Sequence, residues 1–222
     1  MMRWLKRIVL CFVFGTLLIT CICAAWFYFY SADLPDMSGL RRYAPKQATR
    51  VSDPCLSGDS IAIPHDAIGS NLRAALNSSE GAERQGQVNL RMQVSRSLFC
   101  APSQMLERHI SEWRAAEQMR WRFSANELLT IYANRASFGE NLIGVEAASR
   151  HYFGKEPNQL DIAQAALLAG LIKQPPYLSP EKHPDRALQR RNQVIDEMVA
   201  SRAISLEQGA EAKAMTLSLA RK

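Results

Sequence analysis

The stretch DIAQAALLAGLIK, residues 161–173, is apolar on nearly every side when wound as a helix. It is too short and too interrupted to cross a bilayer, which takes roughly 20 apolar residues. Such a segment reads as the buried central helix of a domain, and a helix of this kind needs other elements packed around it. Working outward, apolar spacing predicts further helices over 104–123, 124–134, 142–153, 160–173, 185–200 and 206 to about 217. Gly139, Gly154, Pro157, Pro175, Pro176 and Pro184 supply the breaks between them. Upstream, Ser70 is the expected N-cap of a helix through Ser79, with Leu72, Ala75 and Leu76 on one face and Gly81 ending it. The fold class expected from these periods is all-α, with the chemistry carried on loops.

The N-terminus has a different character. Arg3, Lys6 and Arg7 precede an uncharged run from Ile8 to Tyr30, which at about 1.5 Å per residue can span a hydrocarbon core of roughly 30 Å. Basic residues before the span place the N-terminus in the cytoplasm and export the rest, and Trp26, Tyr28 and Tyr30 suit the far interface. A cleaved signal peptide is the competing reading, but cleavable apolar cores run only about 7–15 residues. Residues 1–30 are therefore assigned to the cytoplasmic start and anchor. Residues 31–60, rich in Pro, Ser, Asp and Gly, form a connector with one short strand at 49–51. Residues 61–222 are one domain, since about 190 residues after the anchor suffice for a single core.

The net charge is +6, and Arg3, Lys6 and Arg7 contribute half of it before the span. The exported part is mildly basic, which gives no argument for nucleic acid and suits anionic headgroups or a diphosphate-bearing lipid. Of the 5 cysteines, Cys11, Cys21 and Cys23 lie within the span. Cys55 and Cys100 can form one disulfide in an oxidising compartment, or remain two thiols.

His65, His109, His151 and His183 show no ligand spacing, and neither CxxC nor HExxH occurs. Ser179 to Lys182 form a Ser-x-x-Lys string without the partner motifs of a transpeptidase. Carboxylates remain. Glu80 closes a short helix at a glycine, at the mouth of a cleft or as a solvated helix end. Glu112 lies four residues after Arg108, so both project from one helix face, in a site or as a surface ion pair.

From Leu34 to about Leu219 the chain resembles glycosyltransferase family 51, the peptidoglycan polymerases that occur as monofunctional enzymes and as the N-terminal half of bifunctional penicillin-binding proteins. IPHDAIGSNLRAALNSSEG, residues 63–81, is similar to the family's first motif, with Glu80 at its glutamate. ERHISE, residues 107–112, matches its Arg-Lys-x-x-Glu motif at Arg108, His109 and Glu112. ELLTIYANRASFGENLIGVEAASRHYFGK, residues 127–155, and AALLAGLIKQPPYLSPEKHPDRALQRRNQVIDEMV, residues 165–199, resemble the later motifs closely. Three departures stand out. Gly81 replaces the family's Asp, and the membrane-facing jaw after it is reduced to GAERQ. The second motif survives as GQVNLRMQVSRSLF, with Gly86, Gln93 and Arg96 but without its hydroxyls. His109 replaces a Lys, removing a permanent charge.

The resemblance implies a lysozyme-like helical fold and polymerisation of lipid II into β-1,4 glycan at the bacterial inner membrane. Glu80 would be the base, in apolar surroundings, and Glu112 would orient the cations. Gln93, Arg96, Arg108, His109 and Asn134 would bind substrate. No organic cofactor is implied, and there is room for a divalent cation such as magnesium. Implied partners are lipid II, nascent glycan, the inner membrane and other cell-wall synthesis proteins. Two alternatives use the same fold: a relative that binds lipid II, glycan or partner proteins without catalysis, and a lytic hydrolase. The shortened jaw leaves the anchor as the expected membrane attachment.

Overall fold

The computed structural model describes residues 2–31, 37–52, 59–81, 83–98, 105–139 and 142–220. Cys55 and Cys100 lie outside the described residues, and with them the expected disulfide. The chain divides into two units, Met1–Pro35 and Asp36–Lys222. The first is one helix, α1 (Met2–Ser31), whose stretch Val9–Phe27 is long and apolar enough to cross a membrane.

The second unit is mostly helical. Helix α7 (Ile162–Leu171) is the buried centre expected from its composition, with Ala163 and every residue from Ala165 to Leu171 buried. It begins at a capping box, in which the Asp161 carboxylate accepts from the Gln164 N–H and Gln164 Oε1 accepts from the Asp161 N–H. Two helices flank it, α2 (Ser70–Ser79) and α9 (Pro184–Ala200). On α2 the predicted face is the one that packs, Leu72, Ala75 and Leu76 being wholly buried. The close approach of α9 depends on Gly170, where a Cβ would fall 2.9 Å from Arg190 Cγ.

Helix α5 (Ala125–Arg135) is buried from Leu128 through Arg135. Ser124, expected inside this helix, caps it instead, accepting from the Glu127 N–H while Glu127 accepts from the Ser124 N–H. Helix α6 (Val145–Phe153) starts three residues later than its apolar pattern suggested. Gly144 precedes it at φ +86°, a conformation that L residues rarely adopt and that keeps Leu142 and Ile143 out of the helix. Similarly Gly69, not Ser70, is the cap residue of α2. Helices α8 (Pro175–Leu178) and α10 (Leu206–Ala214) complete the C-terminal half, α10 being shorter than expected.

Two departures from the sequence reading shape the site. Residues 83–96, for which no helix was predicted, form α3 (Glu83–Arg96), packed on α4 (Met105–Arg122) and α5, with Leu90, Val94 and Ser95 buried. Residues 37–52, read as a connector, belong to the globular unit: Met37, Leu40, Tyr43 and Val51 are buried. The expected strand is β1 (Thr49–Ser52), and it pairs antiparallel with β2 (Asp59–Ala62), Thr49 opposite Ala62. A strand needs a partner for its backbone groups, so the helical domain carries one hairpin.

Candidate active site

Glu80 stands at the C-terminal end of α2, its N–H bonded to the Leu76 carbonyl. Its side chain is 1% exposed. The expected apolar surroundings are replaced by two specific partners. The Tyr132 hydroxyl, from α5, donates to Oε1 at 2.7 Å, and Lys173 Nζ lies 3.0 Å from Oε2. Burial, and then the adjacent Glu80 carboxylate, hold the Tyr132 phenol well above its ordinary pKa, so its O–H persists as a donor. Asn89 of α3 donates to the Glu80 carbonyl. Helices α3 and α5 and the segment after α7 thus meet at Glu80, and Tyr132 and Lys173 reach its carboxylate.

Glu112, on α4, forms a second cluster. It is buried, and Arg108 Nε donates to its Oε1 at 2.8 Å while Arg96 Nε lies 3.5 Å from its Oε2. Ser95, beside Arg96 on α3, donates to the Glu112 carbonyl at 2.6 Å. A buried carboxylate holding two arginines is a different object from an exposed i,i+4 pair, because the anion fixes both cations through Nε while both side chains keep solvent exposure. Both Glu112 oxygens face arginine, and among the described residues no group of three or more His, Cys, Asp and Glu gathers. Arg96 and Arg108 thus concentrate positive charge around one buried carboxylate.

Cavities open beside the two partners of the Glu80 carboxylate. One, of about 570 Å³, is lined by Gln93, Arg96, Arg135, Pro175 and Tyr132. It therefore joins the Glu112 cluster, through Arg96, to the Glu80 cluster, through Tyr132. The other, of about 750 Å³, is lined by Ser79, Lys173, Gln174, Tyr177, Arg186 and Gln193. Lys173 is 35% exposed, so its ammonium can leave Glu80 for this space.

Of the residues expected to bind substrate, Gln93, Arg96 and Arg108 stand at these clusters. His109 is exposed and takes no part in the described contacts of Glu112. Asn134 lies elsewhere, at 0% exposure. Its Nδ2 donates to the Tyr43 and Ile63 carbonyls and its Oδ1 accepts from the Ile63 N–H, so its amide holds the chain before β1 and the end of β2 on α5. Lys173 and the Glu80 contact of Tyr132 were not anticipated. A signal for Lys173 was present: it is the one cation closing an otherwise apolar buried segment.

A sequence model described as Transglycosylase matches residues 65–199. The chain belongs to the transglycosylase family. The match includes Glu80, Arg96, Arg108, Glu112, Tyr132 and Lys173, hence both clusters. Relatives in this family include penicillin-binding protein 1A of Aquifex aeolicus, 38% identical over 69% of this chain and 20% of that protein. Penicillin-binding protein 1C of Escherichia coli is 39% identical over 64% of this chain and 18% of its own length. The chain thus spans about a fifth of these transglycosylase relatives. Penicillin-binding protein 1A from Haemophilus influenzae, known from a crystal structure, aligns over 74% of this chain and 19% of that one, with a TM-score of 0.48 and 21% identity; the assignment rests on the sequence match.

Proposed function

We propose that this transglycosylase is a peptidoglycan glycosyltransferase, which polymerises lipid II into β-1,4 glycan strands for the cell wall. The observation that carries the reading is the buried Glu80, held by Tyr132 and Lys173 between two cavities, one of which has Arg96 on its wall. In the reaction an acceptor sugar hydroxyl attacks the donor's anomeric carbon, the bond to the lipid diphosphate breaks, and the hydroxyl proton must be removed. Glu80 takes that proton. Tyr132 fixes one of its oxygens. Lys173 withdraws into the larger cavity as the acceptor hydroxyl arrives at Oε2. Arg96 and Arg108, locked by Glu112, stabilise the negative charge that develops on the departing diphosphate. Helix α1 anchors the chain in the inner membrane with its N-terminus cytoplasmic, which puts the globular unit on the side where lipid-linked units are presented.

A second reading, a family member that binds lipid II, nascent glycan or other cell-wall synthesis proteins without turnover, draws on one observation. Both Glu80 oxygens are already occupied and the side chain is almost wholly covered. Incubation of the full-length protein with lipid II in detergent, with polymer separated from monomer, decides between them. Catalysis predicts polymer from the native chain and none from Glu80→Gln, which keeps lipid II binding. Binding without polymer from the native chain selects the second reading, and muropeptide release from sacculi would identify a hydrolase.

A further inference from the structure

The inner face of α4 is accounted for by Glu112, Ala115, Ala116 and Met119, all buried against the domain. Its outer face carries two tryptophans, Trp113 at 62% and Trp121 at 79% exposure. Eight residues apart on a helix, they stand about 12 Å apart along its axis. We infer that this outer face of α4 docks on an anionic lipid bilayer, with Trp113 and Trp121 seated at the level of the headgroups.

Two features of the molecule select a bilayer as the occupant. Indole rings combine an apolar body with one N–H donor, a balance suited to the boundary between headgroup and acyl chain. The described charges beside them have the matching sign: Arg120 lies 5.2 Å from the Trp121 ring centroid, and Arg122 is exposed on the same helix, against one described exposed-face carboxylate, Glu117, 3.3 Å from Arg120. Arginines so placed reach phosphate while the indoles sit below them.

This adds a second membrane attachment to the one expected of α1.

The chain contains 4 tryptophans, and Trp4 and Trp26 lie in α1. Full-length protein carrying Trp4→Phe and Trp26→Phe therefore reports on Trp113 and Trp121 alone. It is reconstituted, dilute, into phosphatidylglycerol–phosphatidylcholine vesicles, with and without lipid brominated near the glycerol end of the acyl chain. The expected result is a roughly twofold loss of indole emission in brominated vesicles, most of it absent when the vesicles contain phosphatidylcholine only. Trp121→Ser, which alters an exposed side chain and spares the core, should reduce the quenching. Emission unaffected by bromine overturns the inference, whether red-shifted as in water or blue-shifted against a second copy. Equal quenching in both lipid mixtures overturns the choice of an anionic surface.

Discussion

Lys173→Met removes the cation beside Glu80 while preserving most of the side-chain stem. At 3.0 Å, two unit charges attract by about 5 kcal/mol at an effective dielectric of ~20, and by about 1.4 kcal/mol in bulk water. The Glu80 end is buried but the lysine is 35% exposed. Solvent screening therefore selects the lower part of the range, about 1–3 kcal/mol. If Lys173 positions the carboxylate for catalysis, the initial rate of lipid II polymerisation falls roughly tenfold to a hundredfold. The same loss should appear as about 1–3 kcal/mol in the unfolding free energy, since the buried Glu80 charge keeps only the Tyr132 hydroxyl. Gel separation of polymer from monomer reads the rate, and chemical unfolding in detergent reads the stability. The two side chains act as one unit, so Lys173→Met should cost little further activity in a Glu80→Gln background. A Lys173→Met rate within twofold of the native chain, together with unchanged stability, refutes the reasoning.

Asn134→Ala strands the Tyr43 and Ile63 carbonyls and the Ile63 N–H. At about 1–3 kcal/mol for each buried group the total reaches roughly 3–9 kcal/mol, a large share of the about 5–15 kcal/mol that stabilises a domain, and a denaturant titration should show it. Ser124→Ala breaks the capping box of α5 and should cost about 1 kcal/mol in the same measurement. The His65 imidazole, 3.0 Å from the Thr130 hydroxyl, titrates below its ordinary value because burial and then the Arg73 guanidinium disfavour the charged ring. Its contribution to stability is thus whole above the ordinary imidazole range and is lost as pH falls through the lowered value. Stability should decline as pH falls through the ordinary imidazole value of about 6.5 and below it, and His65→Gln should flatten that slope.

Composition and period alone determined that residues 161–173 would be a buried helix, that Ile8 to Tyr30 could span a bilayer, and where most helices break. These are properties of local hydrophobicity and of proline and glycine, which act within a few residues. Glu80 and Glu112 were also legible, as a carboxylate at a helix end and one turn of helix shared with Arg108. What they touch was not. The Lys173 and Tyr132 contacts join positions 93 and 52 residues away from Glu80, and Arg96 reaches Glu112 only because α3, where no helix was predicted, packs on α4. Asn134 has the sequence context of a ligand contact, and only tertiary structure shows its amide bonded to the backbone at Tyr43 and Ile63. The two tryptophans of α4 were silent for the same reason: a helical period gives the faces, but exposure is decided by which face the rest of the chain covers.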